Sequence, residues 1–344
     1  MRLFHLQITR EGEIIFSSVL PYTRLARTYL KNRFLRKSLP FVFAHMVTFR
    51  CNMRCHYCTY WRMGGGEMGF GEIVRALEEA SDLGIAAYTA TGGEPLLRED
   101  VGDIISTARD LGFYTTLVTN GLLLRKRDTG NPDLLTVSLD TLEREKFVRI
   151  TGVDALERVK ENIAWACERF RVNINVVVHE ENVDEISGLV EFADSVGAGV
   201  TFEPVSSYFA GCPEISKESM RRAFARVLEL KRDYRCIWNT RRYLEIVASG
   251  RKFQCLPHLL LRVNPDGKVI APCYEVESRV VGDLQAESLG DVVEGERFVR
   301  TCNSYRNCGR CYLLCYAEPS IAFSGFLMAI ESVAELIKMN MHKG

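Results

Sequence analysis

The sequence carries no net charge: 44 Lys and Arg balance 44 Asp and Glu over 344 residues. A chain without an excess of positive charge has no general attraction to phosphate backbones, so nucleic acid is not an expected partner. No apolar run reaches the roughly 18–20 residues that a membrane span requires. The first residues, MRLFHLQITREGEIIF, include acidic side chains and no uninterrupted apolar core of the kind a secretory signal has. The expected location is therefore the cytoplasm. Internal repeats and low-complexity tracts are also missing. What is there is ordinary for a globular chain, 47% apolar and 26% charged, and long enough for one large domain plus a smaller one.

Cysteine is the exception, at twelve residues. In a reducing compartment clustered cysteines point to metal or redox chemistry rather than to disulfides. Three fall between Cys51 and Cys58 and six between Cys255 and Cys315. Cys167, Cys212 and Cys236 are scattered and read as small buried hydrophobes.

From about residue 41 to 204 short β-branched runs alternate with amphipathic segments. Strands are expected at 41–48, 85–91, 113–119, 134–140, 172–178 and 199–204. Helices are expected at 72–84, 99–112, 154–170 and 184–197. Strands separated by helices of this length form βαβ units with right-handed crossovers and a parallel sheet. Six such repeats give an α/β fold, a partial (β/α)6 TIM-like barrel, with its chemistry at the C-terminal strand ends. Cys51–Cys58, Gly92–Pro95, Thr119–Gly121 and Ser138–Asp140 each follow an expected strand. Two helices at about 217–233 and 241–249 come next. Residues 259–272 then read as a hairpin about an Asn-Pro-Asp-Gly turn, followed by an irregular cysteine-rich region. The expected organisation is a basic segment at 1–40, the barrel at 41–240, a small Cys-rich α+β extension at 250–318 and an amphipathic helix at 319–344.

Cys51-Asn-Met-Arg-Cys55-His-Tyr-Cys58 offers three thiolates on one short loop. A [4Fe–4S] cube commonly takes four cysteines, so three leave one iron open to another ligand. The alternative is a zinc knuckle, which wants four ligands and lacks a local fourth, since His56 would have to fold back on the loop. CxxxCxxC directly after a first strand is the signature of the radical S-adenosylmethionine (SAM) superfamily, which this sequence resembles over residues 41–239. The resemblance implies that Cys51, Cys55 and Cys58 hold a catalytic [4Fe–4S] cluster whose open iron is chelated by SAM. It also implies that Gly92, Gly93 and Glu94 of the GGEP motif hold the SAM amino group, a carboxylate facing an ammonium. Thr119 and Asn120 would contact the ribose, Ser138 and Asp140 would lie near the SAM carboxylate and ribose, and Tyr57 would lie against the adenine. Residues 138–163 are further similar to the framework of GTP 3′,8-cyclase, although the auxiliary cysteines do not have that enzyme's spacing.

Cys255 and Cys273 flank the hairpin, and Cys308-x₂-Cys311-x₃-Cys315 follows. This pattern resembles the SPASM/Twitch extension of radical SAM enzymes, which carries auxiliary [4Fe–4S] clusters. The set implied for one auxiliary cluster is Cys255, Cys273, Cys308 and Cys311, with Cys315 the rival. Cys302 is unassigned, and His258 is either a ligand or a surface or capping residue. A C-x₂-C pair also suits zinc. Four cysteine ligands would make the cluster an electron conduit, and an open iron would make it a substrate site.

Between Glu13 and Glu67 no acidic residue occurs, while Arg24, Arg27, Lys31, Arg33, Arg36 and Lys37 cluster. Leu25, Tyr29, Leu30, Phe34 and Leu35 fall near one face. Such a helix either packs on the barrel or lies on an anionic membrane surface. The functional expectation is a radical SAM enzyme that acts on an organic substrate (a peptide, cofactor precursor or lipid) and is served by a low-potential donor such as ferredoxin or flavodoxin. The alternative is a non-catalytic iron–sulfur or zinc protein.

Overall fold

The computed structural model describes residues 7–8, 14–15, 20–34, 38–206, 215–273, 277–306, 308–309 and 311–325. Cys212 and residues 326–344 of the amphipathic helix expected at 319–344 lie outside the described residues.

One nine-stranded sheet organises the chain. Its strands are β1 (Val42–Thr48), β2 (Ala87–Gly92), β3 (Tyr114–Thr119), β4 (Leu134–Ser138), β5 (Val172–Val178), β6 (Gly199–Pro204), β7 (Leu260–Val263), β8 (Lys268–Cys273) and β9 (Glu277–Asp283). Their order is β9-β8-β7-β1-β2-β3-β4-β5-β6, with β7 and β1 through β6 all parallel and β8 and β9 antiparallel. The first six strands form the expected partial barrel. The hairpin does not stand apart from it, since β7 pairs with β1 from Val42↔Leu260 to His45↔Val263.

The helices follow the period of their apolar positions. In α2 (Phe70–Asp82) the buried residues are Ile73, Ala76, Leu77 and Ala80, one stripe at helical spacing. Then come α3 (Val101–Asp110), α4 (Arg144–Thr151), α5 (Leu156–Cys167), α6 (Ile186–Val196), α7 (Lys217–Leu230) and α8 (Arg241–Ser249). The helix expected at 154–170 is α5, and α4, which the sequence did not announce, precedes it and ends where Gly152 adopts a left-handed conformation (φ 73°). The region expected to be irregular contains β9 and the helices α9 (Leu289–Glu294), α10 (Glu296–Ser304) and α11 (Leu314–Phe323).

The basic segment forms α1 (Leu20–Phe34), and α1 docks on the barrel. Arg24 donates to Ser81 Oγ at 2.7 Å and stacks on Phe113, while the Tyr29 ring meets Phe323 edge-on at 5.3 Å. Pro21 and Thr28 are buried, whereas Leu30 is 51% and Phe34 73% exposed. The expected apolar face therefore does not bury as a unit: Arg24 and Thr28 have polar partners on the barrel side, and those set the rotation of the helix. Among the described residues no helix is long and apolar enough to cross a membrane.

Candidate active site

Because β1 to β6 are parallel, their C-terminal ends share one edge of the sheet, and the loops that follow converge there. The cysteine loop leaves β1 and is held from two sides. Arg54 N and His56 N donate to Thr151 O (2.7 Å) and Ile150 O (2.9 Å) at the end of α4. On the other side, Gly93 N donates to Thr48 O at 2.7 Å and Glu94 N to Arg50 O at 2.8 Å. The close approach explains both glycines of the GGEP motif. A Cβ on Gly92, whose φ is +137°, would lie 2.2 Å from Thr48 O, and one on Gly93 would lie 2.2 Å from Arg50 O. The backbone that these glycines approach is that of the cysteine loop itself.

Cys51, Cys55 and Cys58 are partly buried. Burial pushes the Cys51 and Cys55 thiols up, and around Cys55 the charges of Asp140, Cys58 and Cys51 add to the effect. Thiols in such surroundings are poor nucleophiles until a metal takes their protons. Their spacing tests which metal fits. A tetrahedral zinc ion with bonds of about 2.3 Å holds its sulfurs about 3.8 Å apart. Among the described residues the loop thiols do not form a group within 4.8 Å of one another. A cube that takes one thiolate at each of three irons fits this donor set and keeps its fourth iron open.

Glu94 is fully buried and accepts three hydrogen bonds: from Leu96 N (3.0 Å), Thr119 Oγ1 (2.7 Å) and Asn120 N (2.7 Å). Burial still outweighs these donors, and the carboxyl is raised to about 6. Asn120 reaches back to the loop, donating to Asn52 Oδ1 at 2.7 Å and lying 4.0 Å from Cys51 Sγ. Asp140 accepts from Tyr57 OH at 2.6 Å and from Val177 N at 2.8 Å, and burial raises it too to about 6. Ser138 sits at the end of β4, opposite Asn175 of β5. The residues expected to face SAM thus gather at the ends of β2, β3 and β4 around the three cysteines.

Sequence reasoning missed a polar ladder on β5 and β6. Asn173 donates to Thr201 Oγ1 (2.9 Å), Thr201 to Asn175 Oδ1 (3.0 Å) and Asn175 to Glu203 Oε1 (2.9 Å). Glu203 also accepts from Leu314 N at 3.0 Å, and burial raises its carboxyl. The asparagines alternate in VNINVVV, and that period of two was the available signal.

In the extension, Cys255, Cys273 and Cys302 are buried, Cys308 and Cys311 are partly buried and Cys315 is exposed. Cys255 and Cys273 share an apolar nest with Leu260, Leu313 and Tyr316, against which Cys311 packs. Burial pushes Cys255 and Cys302 up to about 12. Cys273 and Cys308 lie near enough to Cys255, and Cys255 and Cys273 near enough to Cys302, to raise each further. Cys302, left without a role by the sequence, thus stands with the hairpin cysteines. His258 is not a surface residue: it is 2% exposed, and burial lowers it to about 4. Cys167 and Cys236 pack partly buried against the main core.

A barrel of parallel strands with three thiols on the loop after its first strand defines an enzyme class, and comparison with known proteins agrees. The family model "Radical SAM superfamily" matches residues 46–193, and "Domain of unknown function (DUF3463)" matches residues 207–335. The chain is 32% identical over 249 residues to a probable GTP 3′,8-cyclase of Archaeoglobus fulgidus, covering 66% of this chain and 83% of that protein. The chain belongs to the radical SAM superfamily. It is an enzyme, and its cofactors are a [4Fe–4S] cluster and SAM. A probable GTP 3′,8-cyclase of Pyrococcus abyssi is 39% identical over 160 residues, a match spanning 44% of this chain and only about half (52%) of that relative's length. The fold is similar to that of Streptococcus suis SuiB bound to S-adenosylmethionine, with TM-score 0.65 and 18% identity over 87% of this chain and 77% of that one. It is also similar to anSMEcpe with bound AdoMet and peptide, with TM-score 0.59 and 15% identity over 87% of this chain and 95% of that one.

Proposed function

We propose that the chain cleaves SAM reductively and that the resulting 5′-deoxyadenosyl radical abstracts hydrogen from an organic substrate. The supporting observation is the three-thiol loop whose backbone is bonded to Gly93 and Glu94 and whose Cys51 faces Asn120. When bound by Cys51, Cys55 and Cys58, the cluster supplies one electron to the SAM sulfonium. The protein's residues orient and shield. Glu94, fixed by three donors, presents its charge to the SAM amino group beside Gly92 and Gly93. Thr119 and Asn120 take the ribose, Ser138 and Asp140 lie near the SAM carboxylate and ribose, and Tyr57, pinned by Asp140, takes the adenine. The chemistry itself belongs to the cofactor, and the barrel keeps solvent away from it.

An auxiliary cluster in the extension fits the same reading, with Cys255, Cys273, Cys308 and Cys311 as ligands and Cys315 or Cys302 as rivals. A low-potential ferredoxin or flavodoxin would deliver the electron. The organic substrate would be a peptide, a cofactor precursor or a lipid. The test is anaerobic reconstitution followed by assay of 5′-deoxyadenosine with SAM and dithionite. The parent forms it; Cys51→Ala/Cys55→Ala/Cys58→Ala forms none and keeps only auxiliary iron. Equal iron in both proteins with no product from either would overturn the assignment.

A further inference from the structure

His56, within the cysteine loop, forms a second cluster of metal-binding groups with His179 and Glu181. One ring nitrogen from each histidine and one carboxylate oxygen lie within 4.8 Å of one another, the only His, Cys, Asp and Glu group among the described residues to do so. His56 Nε2 is 3.4 Å from Glu181 Oε1 but makes no hydrogen bond there, although the nitrogen is buried. His179, which directly follows β5, is 1% exposed, and neither of its ring nitrogens has a hydrogen-bond partner. Its ring stands edge-on to His56 at 5.5 Å and beside Tyr57 at 6.1 Å.

A buried imidazole with both nitrogens unmatched is costly, and native structures rarely leave one without a water or ion to satisfy it. Repacking does not answer it here, because three groups of ligand type point to one spot. Zinc bonds of about 2.0–2.2 Å to nitrogen and oxygen place tetrahedral ligand atoms about 3.3–3.5 Å apart, which is the His56–Glu181 separation. Arg149 Nε lies 3.3 Å from Glu181 Oε2, the other carboxylate oxygen, and so leaves Oε1 for an ion. Burial lowers His179 to about 4, so it is neutral at ordinary pH, the form that ligates.

We propose that His56, His179 and Glu181 bind one divalent ion of the zinc class, with solvent in the remaining position. His56 lies between Cys55 and Tyr57, so the ion would staple the cysteine loop to the end of β5. That would hold Tyr57, next to His56 in the chain, in addition to its Asp140 bond. The ion is not part of the radical chemistry, and the site stands or falls independently of the proposed reaction.

The test uses enzyme with its iron–sulfur sites already reconstituted, so that zinc does not fill empty cysteine sites. One equivalent of zinc chloride is added and unbound metal is removed by gel filtration. Retained zinc is counted by mass spectrometry, and its neighbours are read by zinc K-edge absorption. The expected result is one zinc per chain with only nitrogen and oxygen scatterers at about 2.0 Å. His56→Gln and His179→Gln should each weaken retention at least tenfold with iron content unchanged. Because His179 is buried and its variant is at risk of misfolding, the partly exposed His56 provides the independent check. Zinc absent from the parent, zinc with sulfur neighbours at about 2.3 Å, or zinc retained undiminished by His56→Gln would each overturn the proposal.

Discussion

At the residue scale the sharpest constraints are Gly93 and Glu94. Gly93→Ala sets a Cβ 2.2 Å from Arg50 O, a backbone atom that cannot rotate away. A destabilisation of about 3 kcal/mol is expected, together with loss of the cysteine-loop cluster, read by thermal melting and iron content. Gly71, on the exposed start of α2 with nothing within 4 Å, is the control. Its alanine variant should melt no lower and gain up to about 0.5–1 kcal/mol. Glu94 gives a pH signature. Its carboxyl is raised by burial from the ordinary 4.5 to about 6, so the folded chain holds the proton more tightly than the unfolded one. The stability from that proton is full below about 4.5 and is lost as pH rises through about 6, on the order of 2 kcal/mol. Free protein should therefore gain stability from Glu94 as pH falls from 7.5 to 5.5. SAM binding, which needs the carboxylate charge, should weaken over the same interval. Glu94→Gln should flatten both trends and raise the SAM Kd about tenfold at pH 7.5, as read by melting curves and calorimetry. A parent whose SAM affinity is constant between pH 5.5 and 7.5 would remove Glu94 from the amino-group site.

At the element scale, α1 docks on the barrel yet leaves Leu30 and Phe34 exposed on a basic helix, so peripheral contact with an anionic membrane is a proposal to test. Burying one such side chain is worth about 1.5–3 kcal/mol, so Leu30→Ser/Phe34→Ser should cut co-sedimentation with phosphatidylserine-containing vesicles at least tenfold. No binding by the parent would exclude the contact. That exposed face also marks where reading the sequence stopped. Strands such as VNINVVV and the stripe of α2 were legible because period alone decides which side is buried. The rotation of α1 was not, because Ser81 and Phe113, distant in sequence, capture Arg24. Cys302 was opaque for a similar reason. With Phe298 it makes an ordinary buried i, i+4 pair of α10, and only the folding of α10 over the hairpin brings it to Cys255 and Cys273. The motif residues at the strand ends were legible because parallel topology carries sequence order to one edge of the sheet. The His56–His179–Glu181 group was not, because its members lie on two loops more than a hundred residues apart.

At the scale of the whole molecule, the pairing of β7 with β1 bears on how the extension can be used. β1 carries the cysteine loop on its C-terminal end, and its other neighbour, β2, carries the GGEP motif. The extension is joined to this strand by a parallel ladder, and also by the bond from Met68 N to Pro265 O at 2.7 Å and that from Arg75 to Leu284 O at 2.8 Å. Removing it would strip β1 of one hydrogen-bonding neighbour and bare an apolar edge from Val42 to His45, the kind of edge that recruits other chains. A chain ending at residue 250 is therefore expected to aggregate rather than to behave as a smaller barrel. The intact protein should melt in one transition whether followed by far-ultraviolet circular dichroism or by cluster absorbance. The same connection makes damage at the hairpin felt at the catalytic end. Cys255→Ser/Cys273→Ser should lower the melting temperature of the whole chain and loosen the cysteine loop, measured as faster loss of iron to a chelator from Cys51, Cys55 and Cys58. Two separate transitions, or a monomeric and iron-competent 1–250 fragment, would mean that the β7–β1 ladder contributes little and that the barrel and its extension fold as independent units.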